Sequence, residues 1–167
     1  MVHLREEDFD KKEIEYLFNR FGCRLFNCHE NGLDKLYKKF PQYRKNILLE
    51  LNYDNKIENK HEPYDVGGFC IDLAHLEAAK ERSSVEYDYV LKHLKNTKFK
   101  ANHLNGYSKK RKCDLHFIKD LRSFDFLKDL PQEVFSNVIG MEMENTIKKQ
   151  LEFKKHIVNM LNKKFGL

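Results

Sequence analysis

The chain has 167 residues, of which 34% are charged and 41% hydrophobic, and its formal net charge is +5. This composition is typical of one soluble globular domain over 1–167. There is no run of 18 apolar residues and no signal-peptide segment at the start, so we expect a cytoplasmic protein without a membrane partner. The four cysteines form no C-x-x-C pair, which indicates reduced thiols and argues against a structural cysteine zinc site.

Hydrophobic spacing predicts helices that alternate with short strands. The first helix, over 8–21, is indicated by apolar side chains at helical spacing, namely Ile14, Leu17, Phe18 and Phe21. The next elements are expected to be a strand at 23–28, a helix at 33–40, a strand at 46–51, a polar linker at 55–65 and a strand at 69–72. They are followed by a helix capped by Ser83 or Ser84, a strand at 99–104, a basic loop at 105–120, a short helix at 124–130 and a strand at 137–143. A final helix is expected to bury Ile147, Leu151, Val158, Leu161 and Phe165.

The alternation of strands and helices predicts an α/β fold with about five parallel strands and outer helices. If the sheet curls into a partial β/α barrel, right-handed crossovers make all strands end on one face. Polar side chains stand at or just beyond those strand ends: His29, Glu50, Asp72, His103 and Glu142. This is the face on which β/α barrels hold their sites, so we expect one shared cavity there.

The stretch 67–79 shows the chemistry most clearly, because Asp72 ends an apolar run and His75 follows three residues later. A buried carboxylate needs compensation, and a divalent metal supplies it for an Asp-x-x-His pair. Each group taken singly has a structural alternative: a hydrogen-bonded loop histidine, a salt-bridged Glu50, or Asp72 as a helix cap. No Lys or Arg stands at matching positions on these strands, so together they predict a site for zinc, manganese or magnesium.

The segment from Lys92 to Lys112 contains eight Lys or Arg and no Asp or Glu. It is either a solvated surface or a patch that binds phosphates or nucleic acid. Four histidines lack such supporting context and are expected on the surface: His3, His61, His93 and His156.

Several segments together resemble a known family. They are LFNCHENG, NILLELN, GGFCIDLAHLEAAK, FKANHLNGYS, KCDLH and VIGMEME. These segments look like the last five βα units of endonuclease IV and of the wider xylose isomerase-like TIM barrels, over about residues 20–150. The most specific parts are FCIDLAHLEAA and the HLN that precedes Asp114-x-His116 by about ten residues.

The resemblance implies a set of metal ligands and a reaction. Glu50 would bridge two metals, and Asp72, His103 and Glu142 would complete one of the two sites. His75, Asp114 and His116 would bind a separate metal, and His29 would ligate the remaining one. With zinc as the expected metal, the family hydrolyses the phosphodiester beside an abasic site in DNA, and Glu50 and Glu142 are assigned to catalysis.

The resemblance also leaves alternatives open. Sugar or sugar-phosphate isomerases and epimerases of the same superfamily use the equivalents of Glu50, Asp72, His103 and Glu142 for one metal, and a non-catalytic degenerate barrel is a third possibility. Glu144 is an alternative to Glu142. His3 is a candidate substitute for the endonuclease histidine that the missing units would carry. The strands at 23–28 and 137–143 would be open edges, covered by self-association or by a missing N-terminal half.

Overall fold

Six short parallel strands form one sheet that curls into a half-barrel in the computed structural model, which describes residues 1–5, 7, 9–57, 66–94 and 99–166. Its strands, in spatial order, are β1 (Val2–His3), β2 (Phe26–His29), β3 (Ile47–Glu50), β4 (Phe69–Asp72), β5 (Phe99–Leu104) and β8 (Ile139–Met141). A separate antiparallel pair consists of β6 (Gly106–Ser108) and β7 (Cys113–Leu115). The fold is therefore α/β, as the alternating pattern predicts.

The described residues also form five α-helices: α1 (Lys11–Arg20), α2 (Glu30–Lys39), α3 (Leu73–Arg82), α4 (Val85–His93) and α5 (Ile147–Phe165). Asp10 begins α1 through a capping box with Glu13, since each side chain accepts a hydrogen bond from the other residue's backbone N–H. Asp72 ends β4 and also caps α3 by accepting hydrogen bonds from two backbone N–H groups. The predicted cap at Ser84 stands at the start of α4, although its side chain makes no capping hydrogen bond.

The two faces of the sheet bury different sets of side chains. The convex face packs against the helices and forms the main core, which includes Phe26 and Phe69. The concave face holds a small cluster of Leu48, Cys70 and Ala101, and Met1 and Leu25 pack against it. A Cβ atom on Gly140 would lie 3.0 Å from Met1 Cε, so Met1 spans the half-barrel from β1 to β8.

The predicted edges of the sheet are partly wrong. The strand at 23–28, which appears as β2, is not an edge, because β1 pairs with it in parallel register, Val2 beside Phe26 and His3 beside Asn27. The sheet therefore has six strands rather than five. A two-residue strand is too short to show any periodicity, which is why the sequence pattern does not reveal it. The other predicted edge strand, β8, does lie at the end of the sheet.

The segment 105–120 is not a plain loop, as predicted, but contains the β6–β7 hairpin. Tyr107 pairs with Asp114 across it, and Ser108 pairs with Cys113. Each strand has only three residues and the tip is strongly basic, so the sequence of this segment has the composition that is typical of a loop. The short helix predicted at 124–130 is a 3-10 helix at Leu121–Lys128.

The predicted inward face of α5 is wrong at Ile147, Leu151 and Val158, whereas the predicted Leu161 is buried and Phe165 is partly buried and packs against the core. Ile147 is 71% exposed, Leu151 is 55% exposed and Val158 is exposed as well, whereas the buried set is Phe153, Ile157, Met160 and Leu161. Both sets repeat at helical spacing, so periodicity alone cannot decide which one packs on the core. The larger Phe153 packs on Phe124, with ring centroids 5.7 Å apart, and this contact belongs to the buried face.

The observed buried face predicts a large loss of stability for one truncation in α5 and almost none for a truncation two residues away. Phe153→Ala is expected to lower the free energy of unfolding by about 3–5 kcal/mol, because it leaves a cavity beside Phe124. Leu151→Ala, in the same helix, is expected to change it by less than about 0.5 kcal/mol, because the side chain is mostly in water. Urea unfolding of both variants measures the difference. Equal losses would show that the exposed stripe packs in solution.

Other surface predictions have mixed outcomes. His93 and His156 are partly buried rather than exposed, and the Nε2 atom of each is buried without a hydrogen-bond partner among the described residues. His61, most of the linker at 55–65 and residues 95–98 of the basic segment lie outside the described residues. In the part of the chain that the structure describes, no helix is both long and apolar enough to cross a membrane.

Candidate metal centre

The polar side chains predicted at the strand ends lie on the concave face, at one mouth of the half-barrel. The sheet register puts His29 beside Glu50 and Asp72 beside His103. Side chains alternate between the two faces of a strand, so paired residues on neighbouring parallel strands project to the same side. Glu142 directly follows β8, where its backbone N–H donates to the carbonyl of Leu104. The local fold thus brings all five predicted strand-end residues to one rim.

Glu50 lies at the centre of the group and is buried. Its Oε2 accepts a 2.6 Å hydrogen bond from the Asn27 amide, and its Oε1 lies 3.2 Å from His103 Nδ1. Burial alone would raise the pKa of Glu50. The hydrogen bond with His103 and the charges of the neighbouring histidines outweigh burial, so its pKa is below the ordinary value. Glu50 is therefore held as an anion between imidazoles.

His3 belongs to this group, so its expected place on the surface is wrong. Its Nδ1 lies 3.6 Å from Glu50 Oε2 and 3.1 Å from the Asn27 amide nitrogen. Its ring centroid is 4.9 Å from that of His29 and 5.9 Å from that of His103. Burial lowers the pKa of His3, which favours the neutral imidazole that ligates metals. The faint signal in the sequence is the apolar–His–apolar pattern of residues 2–4.

Asp72 is fully buried, and its two oxygens have different surroundings. Oδ1 accepts hydrogen bonds of 2.9 Å from the backbone N–H groups of Ala74 and His75. Oδ2 accepts from the Asn105 amide at 3.1 Å and lies 3.8 Å from His75 Nδ1. Burial raises the pKa of Asp72, although the nearby His75 opposes this. A carboxylate in this position is one that an added cation would stabilise.

A second group lies beside the first and consists of His75, Asp114 and His116. Asp114 Oδ2 lies 2.9 Å from His116 Nε2 and 3.7 Å from His75 Nε2. Burial opposes protonation of His75, but Asp72 and Asp114 raise its pKa to about 9. The interaction also acts on the carboxylate: the hydrogen bond with His75 lowers the pKa of Asp114, although burial opposes this shift. Because β7 carries Asp114, the hairpin delivers two of these three side chains.

Glu142 rather than Glu144 reaches the strand-end group. Glu142 Oε2 lies 3.3 Å from His103 Nδ1, and its side chain is partly open to solvent. Glu144 is exposed, and its backbone N–H donates to the carbonyl of His116. Glu142 also borders a cleft of about 1010 Å³ whose lining includes His3, His29 and His116. A molecule in this cleft would therefore meet both groups of side chains.

The residues present fit a divalent cation on three observations. First, three sets of side chains have donor atoms within 4.8 Å of one another: His3–Glu50–His103, Glu50–Asp72–His75 and Asp72–His103–Glu142. Second, the buried Nδ1 atoms of His29 and His75 have no hydrogen-bond partner among the described residues. Third, no described Lys or Arg pairs with Glu50 or Asp72. Carboxylate and imidazole donors without thiolate suit zinc or manganese.

Comparison of this chain with protein-family models, curated proteins and solved structures gave no match. The chain is therefore described by its fold and its site alone. It is an α/β half-barrel with four carboxylates and five imidazoles grouped at one mouth. The nine side chains of this cluster are His3, His29, Glu50, Asp72, His75, His103, Asp114, His116 and Glu142. Eight of them are those selected from the sequence, and His3 is the addition.

Proposed function

We propose that this protein is a metal-dependent phosphodiesterase, resembling endonuclease IV on a partial TIM barrel, that cleaves DNA beside abasic sites. The observation that carries the proposal is the second group of His75, Asp114 and His116 next to the first. A site for one metal needs only the first group, whereas two adjacent groups provide donors for several cations. Bound zinc would supply Lewis acidity toward a phosphoryl group and neutralise the charge that develops on it.

The protein's own residues hold and orient this centre. Asn27 fixes Glu50 through the 2.6 Å hydrogen bond, so that both carboxylate oxygens face histidines. Asn105 and the first turn of α3 fix Asp72 in the same way. Such outer contacts set ligand orientation, and their loss typically costs 10–100-fold in metal affinity or activity. Glu142 is partly exposed at the cleft, so its carboxylate is positioned to accept a proton from a water that attacks the substrate.

A sugar or sugar-phosphate isomerase or epimerase is the second candidate. It is favoured by the compact set of Asp72, His103 and Glu142, whose donor atoms lie within 4.8 Å of one another. With Glu50 beside His103, these residues suffice for one cation that binds sugar oxygens. This candidate leaves Asp114 and His116 without a role in the reaction. Metal content separates the two functions, since the isomerase needs one metal per chain and the phosphodiesterase more.

The direct test uses a duplex oligonucleotide with one abasic site. We expect the purified protein, loaded with zinc, to cut the strand beside that site and to leave the matched intact duplex whole. EDTA is expected to abolish cutting, and added zinc to restore it. A denaturing gel measures the product. An uncut abasic strand with zinc, manganese and magnesium each in excess would contradict the proposed function.

A further inference from the structure

The segment 109–117 presents three kinds of side chain in sequence. The hairpin tip consists of four successive cations, Lys109, Lys110, Arg111 and Lys112. The ligand candidates Asp114 and His116 come next, and the exposed Phe117 follows them directly. At about 3.3 Å per extended residue, the three residues of β7 put about 10 Å between the tip and His116, where the chain bends. The candidate metal ligands thus lie between a positive patch and an aromatic side chain.

The tip is held in place while its charges remain available. The backbone N–H of Lys112 donates to the carbonyl of Ser108, and Arg82 donates to the carbonyl of Lys112. Lys112 itself has a positive φ of 51°, which turns the chain back into β7. None of the four cationic side chains forms an ion pair with a described residue. The nearby Asp120 and Asp125 are already paired with Arg122 and Lys128, so they do not neutralise the tip.

Phe117 is exposed although its backbone is firmly held. The side chain is 54% exposed, one residue after His116. The Asn145 amide accepts from the N–H of Ile118 at 2.8 Å and donates to its carbonyl at 2.9 Å. On the other side, the carbonyl of His116 accepts from the N–H of Glu144. An exposed aromatic ring on a fixed backbone loses little further freedom on binding, which favours a contact role.

We infer that the hairpin tip and Phe117 form a nucleic-acid contact surface, in which the cations bind backbone phosphates and Phe117 stacks on a base. Proteins that bind single strands combine these two elements, because every nucleobase has a π-face and every linkage a charge. A sugar phosphate has no base to stack on Phe117, whereas linked nucleotides offer both a base and several phosphates. The inference rests on the proposed function, since the ligand pair lies between the two contacts.

The aromatic contact is tested by binding of an intact single-stranded oligonucleotide, which needs no cleavage. Phe117→Leu is expected to weaken affinity about 5- to 100-fold, as the loss of one stacked base does. Phe117→Trp is expected to retain it. Phe21→Leu is the matched control, because Phe21 is 67% exposed at the end of α1 and lies outside this surface. Fluorescence anisotropy measures all four proteins.

The cationic contact is tested by salt dependence. The triple variant Lys109→Gln, Lys110→Gln and Arg111→Gln is expected to lower the slope of log affinity against log salt by about 2, since each single-strand phosphate contributes about 0.7. The control makes the same charge change on the exposed face of α5, at Lys154, Lys155 and Lys163, and is expected to leave the slope unchanged.

The inference would be overturned by no binding of the oligonucleotide, by equal losses in both triple variants, or by wild-type affinity of Phe117→Leu. An effect of Phe117→Leu on sugar-phosphate turnover without an effect on oligonucleotide binding would also overturn it. If the binding results hold but zinc-loaded protein leaves abasic DNA uncut, the contact surface stands and the proposed reaction fails. The cleavage assay therefore tests the proposed reaction, and the binding assay tests the contact surface.

Discussion

Glu50→Gln is expected to abolish metal retention and to lower cleavage of abasic DNA by about a thousandfold or more. Glu50 contributes to two of the three donor sets, as do Asp72 and His103, so its loss affects most of the centre. A bound cation supplies several kcal/mol of transition-state stabilisation, and each 1.36 kcal/mol is tenfold in rate. The amide also places an N–H₂ group where His103 or Asn27 now meets an oxygen. Elemental analysis of metal per chain and a gel assay measure the two effects.

Glu77→Gln provides the control for this experiment. Glu77 is a buried glutamate in α3, but its carboxylate pairs with Lys80, 3.2 Å away, and belongs to none of the donor sets. We expect this variant to bind metal and cut DNA at close to wild-type levels. If both variants lose metal equally, burial of a glutamate rather than its place in the centre would explain the loss. If Glu50→Gln retains full metal content, the proposed centre is wrong.

The grouping of the strand-end side chains could be predicted because each is marked by local sequence. Asp72 and Glu50 interrupt strongly apolar runs, and a carboxylate in such a place needs a partner that the sequence does not supply. The rule that parallel strands end on one face then brings them together without knowledge of the structure. This rule can be applied only where an apolar run is long enough to identify a strand, as it is for β3, β4 and β5.

The same reasoning explains what could not be predicted. His3 stands in a strand of two residues, and its role depends on pairing with β2, a non-local contact that no local pattern encodes. Asn27 is an amide inside an apolar run, and only the 2.6 Å contact with Glu50 shows that it orients this carboxylate. The inward face of α5 was ambiguous for a different reason, since the helix has two apolar stripes and only tertiary packing selects between them.

Asp114→Asn is expected to remove one metal per chain and to lower cleavage of abasic DNA by about a hundredfold or more, in the range found when one charge-stabilising group is removed from an active site. Asp114 is the carboxylate that His75 and His116 share, so an amide there leaves two imidazoles without their anion. Its side chain is partly exposed, at 25%, so the fold should tolerate the change. The prediction is specific to the second group, because Asp114 belongs to none of the three donor sets around Glu50 and Asp72.

Asp125→Asn is the matched control, since this exposed carboxylate pairs with Lys128 and faces no ligand. Metal content and turnover of both variants decide between the candidate functions. A phosphodiesterase that uses both groups loses a metal and most of its rate when Asp114 is changed. An isomerase that uses Glu50, Asp72, His103 and Glu142 keeps its one metal and its rate, because Asp114 lies outside its centre. Loss of metal from Asp114→Asn without loss of cleavage would make the second group structural, since it would then hold a cation that orders the hairpin rather than one that acts on the substrate.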